Sequence, residues 1–417
     1  MVEHFKDMMA GSLDLKEPWY VESAKFDAEK QQVDIYVGIR EDAKFVCPVC
    51  GGETSRYGYE PTERIWRHGD CMFFPTYVHC KRPRIVCKKC GVKQINAPFE
   101  RKDSRFTTLF EGYAMMIMAD MPRSKAAQIL RCDEKSMANI LKYWVDKAVD
   151  ARTLKDVTKL AIDETSFKRG HSYVTLIIDA VKRCVVDVED GRDKTAVAQF
   201  AKKLEAKGGS CANISAVTSD MSKSFIPAIA EAFPNADSII DKFHVKKTLI
   251  DAQDEVRKEE QRSVEDKKEL FINRKKFAVP KSSMNRDQLA EINVLSKRYP
   301  LTGRAFQIIA ALDDFYNSRS IDEATKEFDS LCSWMRRCRL EPMKKAAKTL
   351  LNHKDKILAY FNHRLTNAIC EGINSIVQAA KRKARGYRTF EGFASMIYLV
   401  AGKLKLETPN PFYHIDW

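Results

Sequence analysis

Two short cysteine pairs constrain this chain more than any other feature. Cys47-Pro-Val-Cys50-Gly-Gly and Cys87-Lys-Lys-Cys90-Gly are Cys-x-x-Cys knuckles, each followed by glycine. At this spacing one tight turn points both thiolates at a single ion, and four thiolates complete a tetrahedral zinc shell. Glycine after the second cysteine suits that turn. The pairs stand 36 residues apart, longer than the commonest zinc spacing, and a strand hairpin fits in the gap. The expectation is a zinc ribbon that holds Zn²⁺ on Cys47, Cys50, Cys87 and Cys90. A redox dithiol is the competing use of one knuckle, and two knuckles argue against it. His68, Cys71 and Cys80 lie in the gap, either as further ligands or as core residues, the commoner case. Cys132, Cys184, Cys211, Cys332, Cys338 and Cys370 are scattered and read as buried thiols.

A framework of disulfides is not expected. The first residues, MVEHFKDMMAGSLDLKEPWY, contain no apolar core of signal-peptide length. No apolar run approaches the roughly 18 residues of a membrane span, and AMMIMADM breaks at Asp120. The expected compartment is the cytoplasm, where disulfides are rare. The 417 residues carry 71 Lys and Arg against 57 Asp and Glu, a net charge of +14. That excess favours a polyanion, nucleic acid or an acidic membrane surface. No membrane partner is expected.

Residues 20–46 alternate apolar and polar, as one or two strands do. From Arg101 to about Ala148 the period is helical. Within it, RSKAAQILRCDEKSMANILKYWV reads as a short helix over 124–130, a turn at 132–135 and a second helix capped by Ser136. Two short helices joined by such a turn match a helix-turn-helix. Lys135, Asn139 and Lys142 fall on the exposed face of the second helix, where a base-reading surface would lie.

Beyond that pair, TKLAID, SYVTLIID and CVVDVED read as three strands, followed by a helix ended by Gly208 and Gly209. A strand, a helix and a strand follow: ISAVTSD, SFIPAIAEAF and DSIID. Residues 243–350 are charged and helical in period. A last helical stretch runs roughly over 363–382.

Asp163 and Asp220 each close an apolar run, which aims a carboxylate at the edge of a sheet. Adjacent carboxylates repel unless a cation lies between them. Mg²⁺ prefers hard oxygen ligands and bridges phosphates. Two such ions about 3.5–4 Å apart can activate a nucleophile and stabilise the leaving oxygen of a phosphodiester. Glu371 stands on a helix flanked by Ile369, Ile373 and Ile376, with Asn367 and Asn374 on its own face. Lys381, Arg382, Lys383, Arg385 and Arg388 follow it, either as a solvated run or as phosphate contacts. Asp179, Asp187, Glu189 and Glu164 are competing acids. Asp241, followed by His244, is not excluded from the metal set by spacing and is kept, with His244, Asn367 and Asn374, as a supporting group.

The segments CPVCGG and CKKCG, AIDETSFKRGHSYVTLIIDA, VTSDMSKSFIPAIAEAFPNADSIIDKFHVKK and TNAICEGINSIVQAAKRKARGYRTFEGF resemble transposases of the bacterial insertion-sequence family ISL-three, within the Asp-Asp-Glu class. The resemblance covers nearly the whole chain. It implies a multidomain α/β protein in which a zinc ribbon and a helix-turn-helix precede a ribonuclease-H-like core. It puts Asp163 on the first strand of that core, Asp220 on the fourth, and the catalytic Glu371 on a helix. The 150 residues between Asp220 and Glu371 then include a helical insertion. The expected divisions are an N-terminal strand region (1–43), a zinc ribbon (44–96) and a helix-turn-helix domain (97–150). The core's first part (155–250), the insertion (251–352) and the core's second part (353–417) follow. The implied activity is cleavage of the element's ends and transfer of their 3′-OH strands to target DNA, with Mg²⁺ or Mn²⁺. Asp163 would serve both ions, and Asp220 and Glu371 one each. The implied partners are double-stranded DNA and further copies of the chain, as a dimer or larger assembly, with nucleoid association on DNA. A DNA-binding regulator without catalysis, and a nuclease without strand transfer, are the alternatives.

Overall fold

The computed structural model describes residues 2–168, 172–191, 194–222, 224–365 and 368–408. Two compact units emerge, one holding residues up to Ala151 with 380–385 and the segment from Leu404, the other 152–379 with 386–403.

In the first unit eight strands make two four-stranded sheets. They are β1 (Trp19–Asp27), β2 (Gln32–Ile39), β3 (Lys44–Val46), β4 (Glu53–Tyr59), β5 (Arg64–Cys71), β6 (Phe74–Cys80), β7 (Pro83–Cys87) and β8 (Gly91–Gln94). One sheet runs β1-β2-β6-β5 and the other β3-β4-β7-β8. The long gap between the knuckles therefore holds more than a hairpin of the ribbon. β4 and β7 pair with each other, while β5 and β6 leave and extend the β1–β2 sheet. Ile35, Trp66, Val78 and Ile85, drawn from both sheets, share one hydrophobic cluster. That cluster takes in residues on both sides of residue 43, among them Ile35, Ile39, Phe45 and Trp66.

Three helices follow, Thr108–Asp120, Arg123–Ile129 and Glu134–Ala151. The third begins three residues earlier than expected. Its capping group is Asp133, whose Oδ1 accepts the Ser136 N–H at 2.7 Å, so Ser136 lies inside the first turn. Met137, Ile140, Leu141, Trp144 and Val145 form its buried face. A wholly buried acid ties the helices together: Glu111 receives Arg101 at 2.8 Å, Ser104 at 2.6 Å and the Trp144 indole at 2.7 Å.

The second unit is built on five strands, β9 (Lys159–Lys168), β10 (Ser172–Asp179), β11 (Cys184–Asp190), β12 (Ala216–Ser219) and β13 (Asp237–Ile240). Their order is β11-β10-β9-β12-β13. β9, β10 and β11 are antiparallel neighbours, whereas β12 runs parallel to β9 and β13 parallel to β12. Successive side chains of a strand face opposite ways. Leu160 and Ile162 of β9 join the cluster that Val197, Phe200, Phe225 and Ile229 supply from helices Lys194–Ala206 and Phe225–Ala232. Asp163 and Thr165 consequently face the other side, where Ala368–Lys383 and Phe390–Ala401 lie. Asn374 and Gln378 reach Asp163 and Thr165, and Phe393 stacks on Phe167.

After β13 the chain is helical. Lys242–Ser263, Pro300–Asn317, Ile321–Arg337 and Glu341–Leu351 enclose a cluster that includes Leu249, Phe315, Phe328 and Leu350. Glu260, buried, accepts the backbone N–H groups of Leu301 and Thr302 at 2.9 and 2.8 Å. An acid at that helix start meets the exposed donors of its first turn. No described helix is long and apolar enough to cross a membrane.

Candidate functional site

The four knuckle cysteines converge. All their Sγ atoms lie within 4.8 Å of one another. Zn–S bonds of about 2.3 Å in a tetrahedron put sulfurs roughly 3.8 Å apart, the spacing class of this cluster. Each knuckle turns on a glycine at positive φ, Gly51 at 72° and Gly91 at 70°. Backbone N–H groups of Lys89 and Cys90 draw the Cys87 thiol down to about 6, while the Cys50 sulfur beside it and burial push Cys90 up to about 12, as when sulfurs crowd round one point with no cation between them. The donor set fits zinc. His68, Cys71 and Cys80 stand outside it. His68 is buried between Thr107 Oγ1 at 2.9 Å and Ser12 Oγ at 3.3 Å. Burial pushes Cys80 up to about 12, the behaviour of a core thiol.

In the second unit the acids sit where two opposing requirements meet. Asp163 is inside β9, paired with Leu176, and not at its end as expected, because Glu164–Lys168 continue the hairpin against β10. Its Oδ2 accepts the Asn374 amide at 2.6 Å, and its Oδ1 the N–H of Glu164 at 2.8 Å. Burial lifts its carboxyl to about 6, and the charges of Asp241 and Asp220 push the same way. Asp220 directly follows β12, and its Oδ1 accepts the Ser222 N–H at 2.9 Å. Asp241 directly follows β13 and is buried, with His244 Nε2 4.0 Å from its carboxylate. Glu371 is exposed on the first turn of Ala368–Lys383. Cys370 beside it is buried; burial raises its thiol well above the ordinary value, as do the charges of Asp163, Asp241 and Glu371. The Asn374 Oδ1 is buried and without a hydrogen-bond partner.

A cleft of about 600 Å³ opens at Asp220, lined also by Glu164, Ser222, His244, Lys247 and Asp251; Asp163, Asp241 and Glu371 are not in its lining. His244, Lys247 and Asp251 recur at helical spacing after Asp241, a stripe visible in the sequence but not singled out there. Among the described residues, only the four cysteines gather as three or more potential ligands around one point. Asp163, Asp220 and Glu371 form no such group. Asn367 lies outside the described residues.

The competing acids have other partners. Asp187 and Glu189 hold Lys203 at 2.9 and 2.6 Å, and Asp187 also accepts the Tyr398 hydroxyl at 2.9 Å. Asp179 Oδ1 accepts the N–H groups of Val181 and Lys182 at 2.9 Å.

Lys135, Asn139 and Lys142 are exposed. Lys135 and Asn139 line a pocket of about 480 Å³ with Arg101, Arg105 and Asp133, and Lys142 pairs with Asp146. Arg382, Lys383, Arg385 and Arg388 are exposed, while Lys381 is half-buried. Lys383 donates to the Asp120 carbonyl at 3.1 Å.

A zinc ribbon followed by a mixed α/β core, with Asp163 on its first strand and Asp220 just past its fourth, defines the class of architecture. The chain belongs to the ISL-three family of DDE transposases, whose model, described as a transposase, matches residues 160–397. A second model, the zinc-finger of transposases of the elements IS204, IS1001, IS1096 and IS1165, matches residues 43–90. The chain is 22% identical over 397 residues to the transposase for insertion sequence element IS1557 of Mycobacterium tuberculosis, covering 88% of each. It is 22% identical over 360 residues to the transposase for insertion sequence element IS1001 of Bordetella parapertussis, covering 84% of this chain and 86% of that one.

Proposed function

We propose that this transposase cleaves the ends of its insertion sequence and joins the freed 3′-OH strands to target DNA, using Asp163, Asp220 and Glu371 to hold divalent metal. The observation that carries the reading is the state of Asp163. A half-buried carboxylate, raised to about 6 by desolvation, with Asp241 and Asp220 adding to the rise and His244 opposing it, is what a cation would relieve. Hard carboxylate oxygens suit Mg²⁺ or Mn²⁺. Such ions would supply an activated nucleophile and stabilise the leaving oxygen of the phosphodiester. The three acids form no single cluster, which suits a division in which Asp163 pairs with Asp220 for one ion and with Glu371 for the other.

The chain's own residues prepare that arrangement. Asn374 and the Glu164 N–H fix both oxygens of Asp163, so its carboxylate does not rotate away. The Ser222 N–H does the same for one oxygen of Asp220. His244 and Lys247 line the cleft and would receive phosphate oxygens. Asp241 acts as a positioning residue through His244. The sheet, with its acids on the first strand and just past the fourth, is read as ribonuclease-H-like, and the helices between β13 and Glu371 as its insertion. Arg123–Ile129 and Glu134–Ala151 are read as the helix-turn-helix that binds terminal inverted repeats through Lys135, Asn139 and Lys142. Lys381, Arg382, Lys383, Arg385 and Arg388 are read as sequence-independent phosphate contacts. Two ends must be paired, so assembly of two or more copies on DNA is expected.

Incubation with Mg²⁺ and a labelled duplex carrying an element end tests the proposal. Cleaved and joined products together support it. Cleavage without joining would make the protein a nuclease, and specific binding without cleavage a regulator.

A further inference from the structure

The loop between β5 and β6 has a conformation its sequence does not favour. Cys71 pairs with Phe74, so Met72 and Phe73 are the central residues of a two-residue hairpin loop. Both lie at positive φ, 49° and 70°. This is the type I′ arrangement, which Asn-Gly or Asp-Gly fills at least cost. A residue with a Cβ there costs roughly 1–2 kcal/mol. Burial does not repay that cost: Met72 is 76% and Phe73 88% exposed, and Phe73 is the most exposed large apolar side chain among the described residues.

The loop is nevertheless clamped. Asp70 receives the guanidinium of the buried Arg67 on one oxygen and that of Arg131 on the other, the latter at 2.9 Å. Arg131 also donates to the Phe73 carbonyl. Arg131 itself, at φ 52°, links helices Arg123–Ile129 and Glu134–Ala151. On the other side of β5, the Arg67 N–H donates to the Arg105 carbonyl at 2.8 Å. The Arg105 guanidinium reaches Asp133 and Ser136 at the start of Glu134–Ala151. An exposed apolar pair is thus held in fixed register with the helix pair by Arg131, itself half-exposed and ion-paired with Asp70.

Apolar side chains flanked by guanidinium groups suit duplex DNA. Phosphates meet the cations, and a base step admits an apolar wedge that unstacks and kinks it. We propose that the Met72–Phe73 tip is such a wedge, entering the duplex beside the bases contacted by Glu134–Ala151. The proposal rests on the helix pair binding the element's ends.

Met72→Asn combined with Phe73→Gly tests it, because Asn-Gly keeps the turn and removes the wedge. Binding to an end duplex and the fluorescence of 2-aminopurine placed along it would be followed for three proteins. They are the wild type, this double variant, and the Lys135→Ala, Asn139→Ala, Lys142→Ala triple variant. The double variant should melt no lower than wild type, bind roughly tenfold more weakly, and lose the fluorescence rise that unstacking gives. The triple variant should lose preference for the end but still unstack at saturation. If the double variant binds and unstacks as wild type does, or wild type never unstacks a base, the wedge is wrong, whatever the triple variant does. A fall in the DNA-free protein's mass by light scattering, with DNA binding intact, would overturn it in favour of a contact between copies. If only the double variant weakens binding, the wedge stands, and residues of the helix pair other than Lys135, Asn139 and Lys142 make its contacts to the end.

Discussion

Asp163, half-buried, and His68, buried, are both ionisable, and their surroundings give them opposite uses. Asp163 feels the charges of Asp241 and Asp220, opposed by that of His244, and its neighbour Glu164 lines the cleft. His68 is enclosed by hydroxyl partners, and burial lowers its pKa to about 4. The unfolded chain protonates that imidazole near its ordinary value of 6.5 and the folded chain does not. His68 therefore contributes stability that is fully present above about 6.5 and lost as pH falls toward 4, on the order of 3 kcal/mol over that window. His68→Gln should flatten the acid limb of the first unit's stability, measured by denaturant melts from pH 7 to 4.5 against wild type. An unchanged slope would mean that other groups set it. The histidine's place in a cysteine-rich segment hinted at a ligand. Only its partners Ser12 and Thr107, 56 and 39 residues away in sequence, assign it to the core.

At the scale of elements, local pattern was legible and pairing was not. The knuckles, the strands read around Asp163 and Asp220, and the helical period after residue 242 all appear in the structure. The departure of β5 and β6 into the β1–β2 sheet could not be read, because strand partners are set by long-range burial. Helix Phe390–Ala401 escaped notice because FEGFASMIYLVA has too few polar residues to mark a face. The cap of Glu134–Ala151 was placed on Ser136 because Asp133 and Ser136 are both good capping residues, and only backbone geometry chooses between them. Two consequences can be measured. Glu111→Ala leaves Arg101 and the Trp144 indole without their buried partner and should destabilise the first unit by about 3–5 kcal/mol in denaturant melts; a loss below about 1 kcal/mol would show the network relaxes onto water. Cys90→Ser should release zinc and open the β3-β4-β7-β8 sheet to protease while β9–β13 stays resistant. Retained zinc in that variant would remove Cys90 from the ligand set.

For the whole molecule, family membership establishes a transposase, and the geometry narrows where its chemistry lies. Three candidate acids were visible as strand ends and as an acid on an apolar helix. Asp241 was visible as a rival, and it is the most buried carboxylate beside Asp163. Sequence could not rank Asp241 against Glu371, since one is buried near the acids and the other exposed on a neighbouring helix. The central claim is that Asp163, Asp220 and Glu371 are the metal ligands and Asp241 only positions them. The direct measurement is Mn²⁺ binding by electron paramagnetic resonance, alongside end cleavage, for Asp163→Asn, Asp220→Asn, Glu371→Gln and Asp241→Asn. The account predicts that the first three lose Mn²⁺ and cleavage while remaining folded, and that Asp241→Asn keeps Mn²⁺ and cleaves at a reduced rate. A Glu371→Gln protein that binds Mn²⁺ and cleaves normally, beside an Asp241→Asn protein that does neither, would contradict it.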